Sequence, residues 1–208
     1  MASAYAVLYN QDGWFLIAKK RTKGYYFGNG KTGNVYSAGR DIKNGPGLYA
    51  LPGGGTEGQA VDAAAAREFS EETGLALPPC SKKEVKNFNI PKVGAWGAAY
   101  FCAANGGDVI TTSSKIHSTS MPNSVKIINE IIKNKWKINE YNKVVEFTEN
   151  NKISPWPHDN ELESVGCWNV KNPDNWQTIT SWKTAGNGTD WYYYTLEYLR
   201  NNILKIPQ

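Results

Sequence analysis

Cysteine, histidine and methionine are scarce in this 208-residue chain, at three, two and two residues. Cys80, Cys102 and Cys167 are odd in number and show no CxxC spacing, which argues against both a disulfide framework and a zinc cluster. His117 and His158 stand alone, as surface or loop histidines do. No apolar run approaches the roughly 20 residues that span a bilayer. The opening MASAYAVLYN lacks a basic stretch followed by a cleavable apolar one. Blocks of like charge are missing as well: 23 basic and 19 acidic residues are mixed along the chain, for a mild net charge of +4. Such a balance tolerates a small polyanionic ligand and gives little support for a nucleic-acid polymer as partner. On these absences a soluble, cytoplasmic protein without membrane contact is expected. The length and a 40% hydrophobic content suit one core, so a single domain is expected over 1–208. Internal repeats are not seen.

What the chain does have is concentrated between Gly53 and Leu75, GGGTEGQAVDAAAAREFSEETGL. The run Ala63 to Ala66 favours helix, and Gly74 stands where a left-handed residue ends one. At about 100° per residue, Glu72 lies about 40° to one side of Glu68 and Glu71 about 60° to the other. Three carboxylates on one stripe repel one another unless a cation sits among them, and Mg²⁺ or Mn²⁺ prefers such oxygen ligands. Phe69 and Ala66, with Ser70 and Thr73, point away from the glutamates and are expected to face the core. Arg67 precedes Glu71 by four residues, the spacing at which the two side chains pair. Glycines 53 to 55 let the backbone approach a ligand closely.

The segment resembles the signature of the Nudix hydrolase family, G-x5-E-x7-R-E-U-x-E-E-x-G-U, in which U is a bulky apolar residue. Gly53, Arg67, Glu68, Glu71, Glu72, Gly74 and Leu75 match, and Phe69 supplies bulk where an aliphatic residue is usual. Gln59 departs from the pattern, which has glutamate there. The resemblance implies an α/β fold, an α/β/α sandwich with a mixed central sheet, and hydrolysis of a nucleoside diphosphate linked to a group X. The nucleoside triphosphates, ADP-ribose-like nucleotide sugars and dinucleotides are the substrates to consider. It implies Mg²⁺ or Mn²⁺ held by Glu68, Glu71 and Glu72 with a Gly53 or Gly54 carbonyl. Arg67 would orient the glutamates, and Glu68 would be a further ligand or the general base. A last acid from a late loop is expected to be Glu161 or Glu163, with Asp159 behind them. Gln59 removes a negative charge from the cage, which predicts weaker metal binding unless the position only supports the loop. That departure motivates a second reading, a catalytically attenuated nucleotide-sensing or protein-binding module on the same scaffold.

Along the chain, Ala4 to Tyr9 and Trp14 to Ala18 read as a hairpin, and 22–47 as a long connection forming a flap or an extra hairpin. A short strand over 48–51 delivers the glycines to the helix. Strands follow at 84–90, 94–103 and 161–170. The region 108–157 reads as an inserted segment carrying an amphipathic helix from Ser124 to Trp136. The stretch 173–190 reads as loop and 191–206 as a final helix. Lys20 and Arg21 end a strand and are placed to meet phosphates, while Tyr26 and Phe27, with Tyr25 and Tyr36, offer faces for a nucleobase. The expected partner is a small nucleotide derivative, with a homodimer left open.

Overall fold

The structure, a computed structural model, describes residues 3–186 and 188–207. Strand β1 (Ser3–Tyr9) lies at the centre, and its strict alternation explains the layering. Ala4, Ala6 and Leu8 pack against one layer, Tyr5, Val7 and Tyr9 against the other. A strand whose odd and even residues are both apolar must be covered on both faces. β1 pairs antiparallel with β2 (Trp14–Lys20) at one end and with β6 (Gly53–Gly55) at the other. Alongside, it runs parallel to β8 (Gly94–Ala103), which pairs with the edge strand β7 (Cys80–Ile90). β2 also carries β5 (Tyr49–Ala50) and β9 (Leu162–Asn169). The result is a mixed seven-stranded sheet.

Helix α1 (Val61–Thr73) covers the small-residue face, burying Ala64, Ala65 and Phe69. Helix α2 (Asp108–Lys115), continued by a π-helical turn at Ile116–Ser120, packs on the same face through Val109 and Ile116. The opposite face is covered by α5 (Pro173–Ser181) and α6 (Asp190–Tyr198), the latter running into a π-helical turn at Leu199–Ile203. The arrangement is an α/β/α sandwich.

A third core stands beside it. The long connection 22–47 forms a hairpin, β3 (Lys23–Gly28) with β4 (Gly33–Asp41), a separate two-stranded sheet. It packs on α3 (Met121–Asn134) and α4 (Tyr141–Asn150) through Tyr26, Val35, Ile127, Ile131, Tyr141 and Val144. Two readings need correction. Region 108–157 is not one inserted unit, because α2 belongs to the main sandwich and only α3 and α4 join the hairpin. Nor is 173–190 a loop. Asn172 caps α5 by accepting hydrogen bonds from the backbone N–H groups of Asp174 and Asn175, at 2.9 and 3.0 Å, with Pro173 as first helical residue. Asn followed by Pro is a helix-start signal present in the sequence.

Candidate active site

The glycines before α1 form a strand rather than a free turn, and the pairing explains their identity. A Cβ on Gly53 would lie 2.4 Å from the Ala4 carbonyl oxygen, too close for any side chain. On Gly54 it would lie 2.6 Å from the Glu68 carboxylate. The backbone at 53–55 is therefore a cradle into which the acids of α1 fit. The Gly53 N–H donates to Glu72 Oε2 at 3.0 Å. At the far end, Gly74 adopts φ 75° and donates to the Ser70 carbonyl at 2.8 Å, closing the helix.

Arg67 organises the helix acids. Its guanidinium donates to Glu71 Oε2 at 2.7 Å and to the Gly55 carbonyl at 2.7 Å, and lies 2.9 Å from Glu68 Oε1. Its Nε donates to Gln59 Oε1 at 3.1 Å. The amide at 59 thus supports Arg67 from an exposed position and is not a member of the acid cage. The three glutamates are not equivalent: Glu68 and Glu71 stand at the rim, while Glu72 is buried beside Phe69. Of the four residues expected to face the core, Phe69 and Thr73 are buried and Ala66 and Ser70 only partly so, while Glu72 is buried as well.

The late segment reaches this cluster through backbone bonds. The N–H groups of His158 and Asp159 both donate to the Glu71 carbonyl, at 2.7 and 2.9 Å. Asn160, fully buried, donates its N–H to the Tyr26 carbonyl at 2.9 Å and its amide to Ser124 Oγ at 2.7 Å. Its Oδ1 accepts from the Tyr25 N–H at 3.1 Å. One asparagine thereby locks the segment to β3 and α3, and the locked segment carries Asp159 and Glu161. Asp159 Oδ1 is buried without a hydrogen-bond partner. Glu161 accepts from the Lys20 ammonium at 2.9 Å.

Burial dominates the electrostatics. It pushes the Glu68 carboxyl up to about 7, with Arg67 opposing and Glu71 reinforcing. Glu71 is raised for the same reason. Glu72 and Asp159 are raised well above the usual carboxylate range by burial and then by Glu161. Carboxyls in such surroundings favour protonation until a cation arrives. The chemistry of the donor set fits a hard divalent ion: several oxygen ligands, a buried carboxylate oxygen without a partner, and a glycine backbone at contact distance. Among the described residues no three His, Cys, Asp or Glu side chains already stand in ligating arrangement. Their oxygens are turned instead toward Arg67, Lys20 and the Gly53 N–H.

A cavity of about 360 Å³ opens over the acids, within the size range of ligand sites. It is lined by Glu57, Arg67, Glu68, Glu71 and Asp159 together with Phe27 and the β3–β4 turn. Phe27 also lines a smaller neighbouring cavity with Arg40 and Glu161. Four expected contacts fall elsewhere. Tyr26 is fully buried in the third core and donates to Ser124 Oγ at 2.9 Å, so its faces are closed to a base. Arg21 donates to the Leu162 carbonyl at 3.0 Å and is committed to β9. Glu163 is half exposed and pairs with Lys19 at 3.6 Å, away from the helix acids. Lys20 is buried against Glu161 and is not a strand-end charge free for solvent. Asn160 and Ser124 carry no sequence signal of their role, because both are common loop and helix residues.

A family model of the NUDIX domain matches residues 1–117. Among solved structures, the chain is similar to a MutT protein from Methanosarcina mazei Go1, at 22% identity over 50% of this chain and 62% of that one, with a TM-score of 0.31. It is similar to the NUDIX domain of Shewanella oneidensis NrtR, crystallised with ADP ribose, at 18% identity over 50% and 58% of the two chains and a TM-score of 0.29. A NUDIX hydrolase from Nitrosomonas europaea shares 19% identity over 49% and 55%, with a TM-score of 0.30. The chain spans less than two thirds of the length of each of these. No curated protein matches it.

Proposed function

Because this chain belongs to the Nudix family, we propose that it hydrolyses the pyrophosphate linkage of a nucleoside diphosphate joined to a further group, with Mg²⁺ or Mn²⁺. The observation that carries the reading is the meeting of Glu68, Glu71 and Glu72 with Asp159 and Glu161. That convergence leaves Asp159 Oδ1 buried and unpartnered at the edge of a cavity of nucleotide size. Glu68, Glu71, Glu72 and Asp159, with a carbonyl of Gly53 or Gly54, are the residues that would hold the metal. A bound divalent ion would supply charge neutralisation for the phosphate oxygens and a more acidic water.

The chain's own residues do the remaining work. Arg67 fixes Glu68 and Glu71 through two short charge-assisted contacts, at 2.9 and 2.7 Å. Gly53 fixes Glu72, and Lys20 fixes Glu161. Glu68 is either a further ligand to the metal or, unligated, the general base that accepts a proton from water. Phe27, bridged to Asp159 and lining the same cavity, is the aromatic side chain offered to the base or sugar. Gln59 bonds Arg67, which supports reading its position as a brace for the arginine rather than a member of the acid cage.

The test is a panel of nucleoside triphosphates, nucleotide sugars and dinucleotides, incubated with Mg²⁺ or Mn²⁺ and read as phosphate released after phosphatase coupling. Turnover lost in Glu71→Gln and Glu72→Gln, by about 100-fold or more, is the expected result. Absence of turnover on every member, or variants as active as the parent, would remove the proposal.

A further inference from the structure

Lys20 is a buried cation to which the proposed chemistry gives no task beyond holding Glu161. Its position follows from strand alternation: Leu16 and Ala18 of β2 face the α1 layer and Lys20 continues that face, while the register shift opposite Lys19 and Lys20 leaves Glu163 of β9 as the extra, unpaired residue. Lys19 consequently points outward and is half exposed, while the Lys20 side chain is 9% exposed and donates to Glu161 at 2.9 Å. Its charge also acts on Glu72 across the cluster. An ammonium so enclosed would have to leave the partly buried Glu161 to meet an arriving phosphate.

The charge balance gives it a role. Leaving aside the exposed Glu57, five carboxylates, Glu68, Glu71, Glu72, Asp159 and Glu161, face two cations, Arg67 and Lys20. Fully ionised, the cluster carries three negative charges in excess, enough to attract one divalent ion and too few to retain two. With Lys20 uncharged the excess rises to four, which two divalent ions neutralise. We propose that Lys20 is a resident counter-cation that stands in for one divalent ion at the acid cluster, so that the substrate-free protein holds a single tight Mn²⁺ or Mg²⁺ per chain. This rests on the metal-dependent reading above. Lys20 then acts as a positioning residue: it keeps Glu161 and Glu72 neutralised and in place from inside, where a second metal would otherwise be needed.

The experiment is Mn²⁺ titration of the full chain without nucleotide, followed by electron paramagnetic resonance of the free ion. The wild type is expected to take up one tight ion. Lys20→Met is expected to bind a second ion, or the first about tenfold more tightly or better, since a positive charge leaves a low-dielectric site. Lys20→Arg, which keeps the charge, is expected to match the wild type. Two tight ions in the wild type overturn the inference whether or not any variant folds. So does Mn²⁺ binding that is unchanged or weaker in folded Lys20→Met, the result if the lysine merely props Glu161. Hydrolysis by a wild type holding two ions would leave the proposed reaction standing while removing the role of Lys20; no bound Mn²⁺ at all would remove both.

Discussion

Replacing Glu68 with glutamine should make the metal-free protein more stable while removing its chemistry. The Glu68 side chain is 13% exposed, and burial raises its carboxyl from an ordinary 4.5 to about 7. An acid whose folded value lies above its unfolded one binds more protons when native, so stability falls as pH rises through the interval between the two. The cost of ionisation is absent below 4.5 and complete above about 7. At about 1.36 kcal/mol per pH unit, that interval corresponds to about 3 kcal/mol, with the favourable Arg67 contact already included. Glutamine keeps the shape and never ionises. For a chain of this length, about 3 kcal/mol raises the melting temperature by about 6–12 °C. Calorimetry in EDTA at pH 8 should therefore show Glu68→Gln melting well above the wild type. At pH 5 the gap should fall below about 1 kcal/mol, because the wild-type carboxyl is then largely protonated. Saturating Mg²⁺ at pH 8 should raise the wild type preferentially and narrow the gap. A variant no more stable than the wild type at pH 8, or a gap that persists undiminished at pH 5, would refute the assignment of a buried, strained carboxylate at this position.

Other substitutions test separate parts of the site. Gln59→Glu restores an acid at an exposed position already bonded to Arg67, and Mn²⁺ titration should find metal affinity unchanged. Gly74→Ala places a Cβ 2.5 Å from the Trp156 carbonyl at φ 75°, and denaturant unfolding should register a loss of about 2–4 kcal/mol. Asn160→Ala strips the bonds to Tyr25 and Ser124 from the segment that carries Asp159 and Glu161. A stability loss of about 2–3 kcal/mol is expected, with turnover reduced more than substrate affinity, in unfolding and steady-state assays.

The helix from Val61 to Thr73 and its glycine end were legible because their signals are local. Alanine propensity, the left-handed stop at Gly74 and the Arg67–Glu71 spacing all act within a few turns. The hairpin at the amino terminus and strands β7 and β8 announced themselves by alternation or by apolar runs. Helix α5 escaped although Asn172 and Pro173 mark its start, because its few apolar residues sit among polar ones and give a weak period. The β3–β4 hairpin was one of two readings of 22–47, but the packing of α3 and α4 upon it could not be read, since those contacts join residues about 100 positions apart, as Tyr26 and Ser124 are.

The same division runs through the site. By itself the sequence determined that three glutamates and an arginine lie within two helical turns beside backbone stripped of side chains, because helix geometry sets those spacings. Which carboxylate is buried, that Asp159 and Glu161 join them while Glu163 faces solvent, and that Lys20 meets Glu161 were decided only when β9 bulged opposite β2 and Asn160 pinned a distant segment to β3 and α3. Burial and long-range hydrogen bonds have no period along the chain, so charge state and partnership belong to the fold.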